Sequence, residues 1–514
     1  MATYSRPGVF VNEVSIPQSV QSANNGSARG AFTGTFAKGP SSEPVLVNSW
    51  YEFGKTFGGL STAYPATIAL YTFFANGGRQ VYVKRVLGTG ALASTATLVN
   101  RAGTPLNALT IDAANAGTWG DDLSVEIKAA STSTFNLIIS DLSGVLEQFT
   151  DLSMTTTNSR YVVSYVNSAS NYVRVTDLNA ATTGSDRQPA IGTTSLGSGA
   201  NGATPTRTQF SNALLTFDTI NSPLVMNNAD AAYTFSSGGD TVLELPLMIH
   251  LQADVAAYCE ARGDAFAVLD VPAGYTQVEA SNYIVDLAAD ENFAASGNGG
   301  NTAVYWPWIV TPDSLSAASG ATRIVPPAPA AIGQYLANDA TRGVFKTPAG
   351  FGTRIANAVA VERNLTNTEL DALNSQNNPI NAIRNVPGAG IVIMGGRTLN
   401  NTPGERYINV RRSLIFLKKE LTDRSNFAIF ENNDARLQNQ LRTSLGNFLR
   451  SYWSQGGLRG NTPAEAFFVR CDASNNSAAD LQNGLINIEI GVALEYPAEF
   501  IVISIGQVTG SASA

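Results

Sequence analysis

The residues of this 514-residue chain that could carry out chemistry are few and scattered. Acid–base or nucleophilic catalysis most often rests on an imidazole held beside a hydroxyl or thiol and oriented by a carboxylate. The chain has one histidine, His250, at the end of the apolar run "ELPLMIH", which reads as a strand with a buried, structural histidine at its tip. No G-x-S-x-G stands anywhere, so no nucleophile elbow is indicated. Gly54, Lys55 and Thr56 have the order of a phosphate-binding loop, but Ser49 occupies the place of the glycine needed five residues earlier, and no apolar strand leads in. "GAGIVIMGG", from Gly388 to Gly396, lacks the dinucleotide-binding spacing and precedes its strand instead of following one, so it reads as turn, strand, turn. Asp121 and Asp122 sit beside Trp119 without a His or Cys at metal-ligand spacing. Cys259 and Cys471 lie far apart in apolar stretches and read as free buried thiols. The expectation is a protein that is not an enzyme and needs neither cofactor nor metal.

Composition points the same way. Charged residues make up 14% of the chain, against about a quarter in ordinary soluble domains, a weakly self-repelling surface that suits assembly. The net charge of −8 argues against nucleic acid as a direct partner. The charge is uneven: Arg384 to Arg459 holds 12 Lys or Arg against 5 Asp or Glu, leaving the acidic excess elsewhere. The opening "MATYSRPG" has no signal-peptide character, and no apolar run approaches the ~18 residues that span a bilayer, so no direct membrane contact and folding in a reducing cytoplasm are expected.

The elements that would position any site fall into distinct styles. Val9, Phe10 and Val11, with Val14, form an apolar strand that needs cover on both faces, and the polar run Ser15 to Gly30 reads as its tether. Residues 31–87 read as α/β, with "AFTGTFAKGP", a helix at "ATIALYTFFANGG" and the strand "RQVYVKRVL". Short alternating strands, among them "LSVEIKA", "FNLIIS", "RYVVSYV" and "YVRVTDL", begin near Gly88, and the style persists to Asp240; an inserted all-β sandwich is assigned to 88–210. Apolar strands alternating with helices over 211–384 imply a parallel sheet covered on both faces. An α+β segment spans 385–496. In it, Tyr407, Val410, Leu414, Leu417 and Leu421 form a helical stripe with Arg412 and Lys419 opposite, and a second helix buries Leu437, Leu441, Leu445, Phe448 and Tyr452. Arg436 and Arg450 fall on its far face and Arg442 on a flank. The end, 497–514, carries a second strand apolar on both faces, with Phe500, Ile501, Val502, Ile503 and Ile505.

Taken in order, "RPGVFVNEV", "GGRQVYVKRV", "VPPAPAAIGQYLANDATRGVFKTPAG", "NPINAIRNVPGAGIVIMGGRTL", "INVRRSLIFLKKEL", "AEAFFVRCD" and "PAEFIVISI" resemble the contractile tail sheath proteins of tailed bacteriophages. The resemblance covers most of the chain and is weakest over 88–210. It implies an α+β and α/β multidomain fold: a discontinuous assembly core from both chain ends, a subtilisin-like α/β middle domain at 211–384, and an outward-facing inserted β-domain. It implies a virion subunit, assembled in the host cytoplasm, that stacks as hexameric rings around a tail tube. Baseplate and tail terminator proteins would lie at the ends, and contraction would drive the tube through the host envelope. It also implies that the two terminal arms, 1–30 and 497–514, add strands to neighbouring copies, through Val9, Phe10, Val11 and Val14 and through Phe500, Ile501, Val502, Ile503 and Ile505. Arg436, Arg442 and Arg450, with Arg412 and Lys419 as second choices, would then face an acidic tube. The alternatives are the sheath of a related injection machine, such as an R-type bacteriocin or a secretion system, and a subtilisin-like hydrolase.

Overall fold

β1 (Arg29–Gly34) is the first element in a computed structural model that describes residues 28–179, 184–236, 241–297 and 299–499. Val9, Phe10, Val11, Val14, Phe500, Ile501, Val502, Ile503 and Ile505 lie outside those residues. β1 alternates between two cores, Ala31 entering one and Phe32 the other. β2 (Val45–Val47) follows, then α1 (Trp50–Phe57), whose N-terminus is capped by Ser49 accepting from the Glu52 N–H. α2 (Ala66–Ala75) ends where Gly77, at φ 95°, lets the Gly77 and Gly78 N–H groups return to the Phe74 and Phe73 carbonyls. β3 (Val81–Arg85) completes this stretch.

Residues 91–201 have their own core. They contain β4 (Ala91–Leu92), β5 (Thr95–Val99), β6 (Asn107–Ala113), β7 (Ser124–Ala129), β8 (Phe135–Asp141), β9 (Gly144–Leu152), β10 (Val173–Asp177), β11 (Gly192–Ser195) and β12 (Ala200–Asn201). A three-stranded sheet, β10-β6-β5, and a four-stranded one, β11-β7-β8-β9, enclose Leu109, Ile111, Val125, Ile139 and Val175. One expected strand is a helix: "RYVVSYV" forms the start of α3 (Val162–Ala169). Val162 and Val166, four apart, are its buried residues, a helical spacing that outweighs the strand preference of valine.

After the insertion come α4 (Arg207–Leu215), β13 (Leu224–Asn228), α5 (Ala231–Ser236) and α6 (Thr241–Arg262). The expected strand "ELPLMIH" is part of α6. Met248, Leu251, Val255 and Cys259 recur at three-to-four spacing among its buried positions, which include all of Leu251–Ala256, and this helical period resolves what a short apolar run left ambiguous. β14 (Ala265–Asp270), α7 (Gln277–Ala289), α8 (Glu291–Ser296), β15 (Thr302–Trp306), β16 (Ile309–Pro312), β17 (Thr322–Val325) and α9 (Pro327–Arg342) follow. Then come β18 (Ala360–Val361), α10 (Asn367–Ser375), β19 (Asn381–Val386) and β20 (Gly390–Ile393). The last part holds α11 (Ile408–Ser425), α12 (Ala435–Ser454), α13 (Pro463–Ala466), β21 (Phe467–Arg470), α14 (Ala478–Gln482) and β22 (Glu489–Val492).

One eight-stranded sheet, β2-β3-β1-β13-β14-β15-β19-β20, runs through the body. Pairing is parallel from β3 to β19, and β2 and β20 close the two sides antiparallel. Every residue of β13, β14 and β15 is buried, with Phe266, Val268 and Tyr305 on one side and Ala267, Leu269 and Trp306 on the other. α1, α2 and α9 supply residues to the first core, and α4, α6 and α7 to the second. α2 and α9 meet closely at Gly333, where a Cβ would stand 2.6 Å from the Phe73 carbonyl oxygen. Residues 31–87 and 211–384 both contribute strands to this sheet, β1 pairing with β3 on one side and β13 on the other, and β19 spans residues 384 and 385.

Candidate assembly surface

α12 presents the clearest charged face. Asp434 caps it, accepting from the N–H groups of Arg436 and Leu437 at 2.9 and 2.8 Å. Leu437, Leu441, Leu445, Phe448, Leu449 and Tyr452 are buried on one side. Arg436, Arg442 and Arg450 are exposed, and no carboxylate occurs within the helix. At 100° per residue, Arg436 and Arg450 stand about 40° apart and Arg442 about 80° further round. Arg442 donates to its helix neighbour Asn439 at 2.7 Å. Phe427 and Phe430 are exposed on the approach to α12, Phe430 at 88% with φ 67°; sequence reasoning passed over both because apolar residues before an amphipathic helix resemble core.

The two second-choice residues of α11 lie elsewhere. Arg412 is not on an open face: its side chain is 3% exposed, and its guanidinium pairs with Asp339 of α9 and lies 4.8 Å from the Tyr335 ring centre. The stripe expectation failed because Ile408 to Ser413 are all buried, where the first turns of α11 are enclosed on every side. Leu414 and Leu421, placed in that stripe, are only half-buried. Lys419 is largely covered and pairs with Asp423 one turn on.

β21 and β22 form an antiparallel pair, from Phe467 opposite Val492 to Arg470 opposite Glu489, and no other strand joins them among the described residues. Two four-residue strands are marginal alone. Phe467, Val469, Ile490 and Val492 pack against the cluster of Phe416, Leu417, Phe448, Leu449 and Tyr452 shared by α11 and α12. The free edges of such a pair can accept further strands.

The residues singled out for chemistry are structurally employed. Gly54, Lys55 and Thr56 lie within α1, so they cannot wrap a phosphate, and Lys55 sits 4.8 Å over the Tyr51 ring. Asp121 accepts from the Ser94 hydroxyl and the Gly199 N–H. Cys259 and Cys471 are buried and free, and burial raises both thiols. His250 is not a buried strand end: it lies on α6 with its side chain 42% exposed. Its Nδ1 stands 2.6 Å from Asp290 Oδ2 and 2.9 Å from an Arg207 nitrogen, and Ser211, the nearby hydroxyl, donates to Asp254 instead.

In parallel sheets the carboxyl ends of the strands are where ligands usually bind. Here two carboxylates at that edge, Asp230 and Asp270, are buried and engaged by backbone N–H groups. Asp230, just past β13, accepts from the Thr35 N–H at 2.6 Å, and Asp270, ending β14, accepts from the Ala328 N–H of α9 at 2.7 Å. Burial pushes Asp230 up to about 6 and Asp270 up to about 8.

Residues 401–507 match the family model described as the phage tail sheath C-terminal domain. The tail sheath protein of Enterobacteria phage T4 is 27% identical over 157 residues, covering 30% of this chain and 23% of that protein. The tail sheath protein of Vibrio phage KVP40 is 27% identical over 186 residues, covering 35% of this chain and 26% of that protein. The chain thus matches about a quarter of the length of these two relatives. Among solved structures, the sheath tail protein of Listeria innocua aligns over 93% of this chain and 97% of its own, with TM-score 0.62 and 14% identity. The contracted helical sheath of the anti-feeding prophage aligns over 98% and 100%, with TM-score 0.57 and 19% identity. The contracted sheath of an extracellular contractile injection system, PVC, aligns over 99% of each chain, with TM-score 0.54 and 19% identity. The fold is that of these sheath proteins, in agreement with the resemblance carried by the sequence motifs.

Proposed function

We propose that this protein is the subunit of a contractile sheath, polymerising as stacked hexameric rings around a tail tube and shortening to drive that tube through a host envelope for genome delivery. The observation that carries this reading is the end-to-end correspondence with two contracted sheaths, 98% and 99% of this chain, combined with a phage tail sheath domain at 401–507. It is a structural protein and not an enzyme. The engagement of Asp230 and Asp270 by backbone N–H groups and the employment of His250 within an ion-pair cluster support that view over a subtilisin-like hydrolase.

The division of labour follows. The eight-stranded body is the subtilisin-like middle, the 88–210 insertion faces outward, and the assembly core draws on both chain ends. The arms, through Val9, Phe10, Val11 and Val14 and through Phe500, Ile501, Val502, Ile503 and Ile505, add strands to neighbouring copies, and β21–β22 is the sheet that receives them. One arm alone holds weakly; repeated links in a ring gain from high effective concentration. Arg436, Arg442 and Arg450 contact the tube, Lys419 contributes at most through its Asp423 pair, and Arg412 is withdrawn from that role. Baseplate and terminator proteins cap the stack, which is built in the host cytoplasm and resides in the virion.

Electron microscopy of the purified chain tests this: hollow, striated tubes are expected, and persistent monomers under all assembly conditions would count against it. Deleting residues 1–20 should leave a folded, soluble monomer that forms no tubes. A second reading, the sheath of a non-phage injection machine, draws support from the alignments to the anti-feeding prophage and PVC sheaths; neighbouring capsid genes would favour the phage.

A further inference from the structure

Resting on the reading of 497–514 as an arm, we propose that Arg397 is the anchor of that arm, passing its load into the central sheet and past the β21–β22 pair.

The geometry sets this out. Residues 493–499, the described residues beyond β22, form no regular strand, yet they are held at nearly every step. The Ala493 carbonyl accepts from the Arg459 N–H at 3.1 Å, and Leu494 bridges Leu458. The Glu495 carbonyl accepts from Asn409 Nδ2 at 2.9 Å. Tyr496 packs edge-on against Tyr407, with the Arg459 guanidinium 5.8 Å from its ring centre. Last comes Glu499, gripped by Arg397 with Nε to Oε1 at 2.8 Å and Nη2 to Oε2 at 2.6 Å, and approached by the Tyr407 hydroxyl at 3.4 Å. A two-pronged pair fixes direction as well as distance.

Arg397 is itself fastened. Its N–H donates to Asn381 Oδ1 and its carbonyl accepts from Asn381 Nδ2, each at 2.8 Å; that amide also reaches the Val304 carbonyl, at 3.1 Å. Nη1 donates to the Asn374 carbonyl at 2.8 Å. Val304 belongs to β15, which is buried throughout. A pull on the chain beyond Glu499 therefore meets Arg397, Asn381 and the central sheet. Without that clamp the load would fall on the single contacts at Ala493, Leu494, Glu495 and Tyr496 and, behind them, on β22, a four-residue strand with one partner.

The test uses the full chain carrying Glu499→Gln, Arg397→Gln, or the exchange Arg397→Glu with Glu499→Arg. Hydrogen exchange at 489–499 should accelerate roughly tenfold or more in each single variant, in monomer and in tubes, and be partly restored in the exchange. The main thermal transition of Glu499→Gln should stay within a few degrees of the parent, and its tubes should shed subunits faster during contraction. Unchanged exchange in both single variants overturns the anchor. Parent-like tubes from a chain lacking 500–514 would overturn the arm reading instead, a result separable because the exchange measurement on monomer does not need the arm to bind anything.

Discussion

Arg412 of α11 and Asp339 of α9 face each other with side chains 3% and 2% exposed, joining the C-terminal helices to the helix layer of the central sheet. Desolvation raises Asp339 despite its partner, so the pair holds against a large burial penalty. Removing one partner strands a buried charge: Arg412→Met or Asp339→Asn should each cost about 3–5 kcal/mol. Changing both, Arg412→Met with Asp339→Leu, should recover most of that loss. Urea unfolding of the soluble chain measures all three, and a double variant as weak as the singles would contradict the account.

Stability should also fall as pH rises from mildly acidic to mildly basic. Burial raises Asp230 to about 6 and Asp270 to about 8, against the Thr35 N–H in one case and the Ala328 N–H in the other. Groups raised on folding bind protons more tightly folded than unfolded. Their contribution is complete below the usual carboxylate range, near 3.8, and is lost as pH climbs through about 6 and then about 8. Asp254 works the other way: burial opposes its charge, but Arg207, Ser211 and Asn292 hold it below the usual value, so its share is lost in acid. Asp270→Asn keeps an oxygen for the Ala328 N–H and should flatten the decline between pH 6 and 8, read as thermal midpoint against pH.

How much of this was legible in the sequence follows from where neighbours decide. β14 and β15, "AFAVLD" and "TAVYW", were readable because a strand covered on both faces is apolar at every position. "RYVVSYV" and "ELPLMIH" were not, since a short apolar run fits a strand or a buried helix equally until its neighbours choose. The exposed face of α12 was legible from its own period. The burial of Arg412 was not, because Asp339 lies 73 residues away and nothing local announces it. Arg397 escaped for the same reason, its partner being 102 residues on.

Arg85 ties the insertion to the body without any carboxylate. Its guanidinium donates to the carbonyls of Phe36, Ala37 and Gly39, at 2.9, 3.0 and 3.0 Å, and to Ala116 of the insertion at 2.7 Å. Burial lowers it to about 10. A lysine has neither the planar fork nor enough donors for four carbonyls. Arg85→Lys should therefore expose the junctions near Gly88 and Thr206 to limited proteolysis while the insertion's own core, around Ile111 and Val125, stays resistant. Equal cleavage rates in parent and variant would show that the tie carries no weight.

The exposed face of α12 should matter for the tube and not for the fold. Arg436 and Arg450 are exposed opposite the buried stripe, and neither guanidinium has a carboxylate in its own helix to neutralise it. Contacts from such a face to an acidic surface are individually weak and screened by salt, which suits the reversible tube contact proposed above. Arg436→Glu with Arg450→Glu should abolish co-assembly with tube while leaving tube-free polymer and the thermal midpoint near parental values. Parent chain should lose tube binding progressively between low and near-molar salt, and the variant should show little salt dependence. Sedimentation with preformed tube across that range measures both, and co-sedimentation of the reversed variant at parental levels would move the tube contact to another surface.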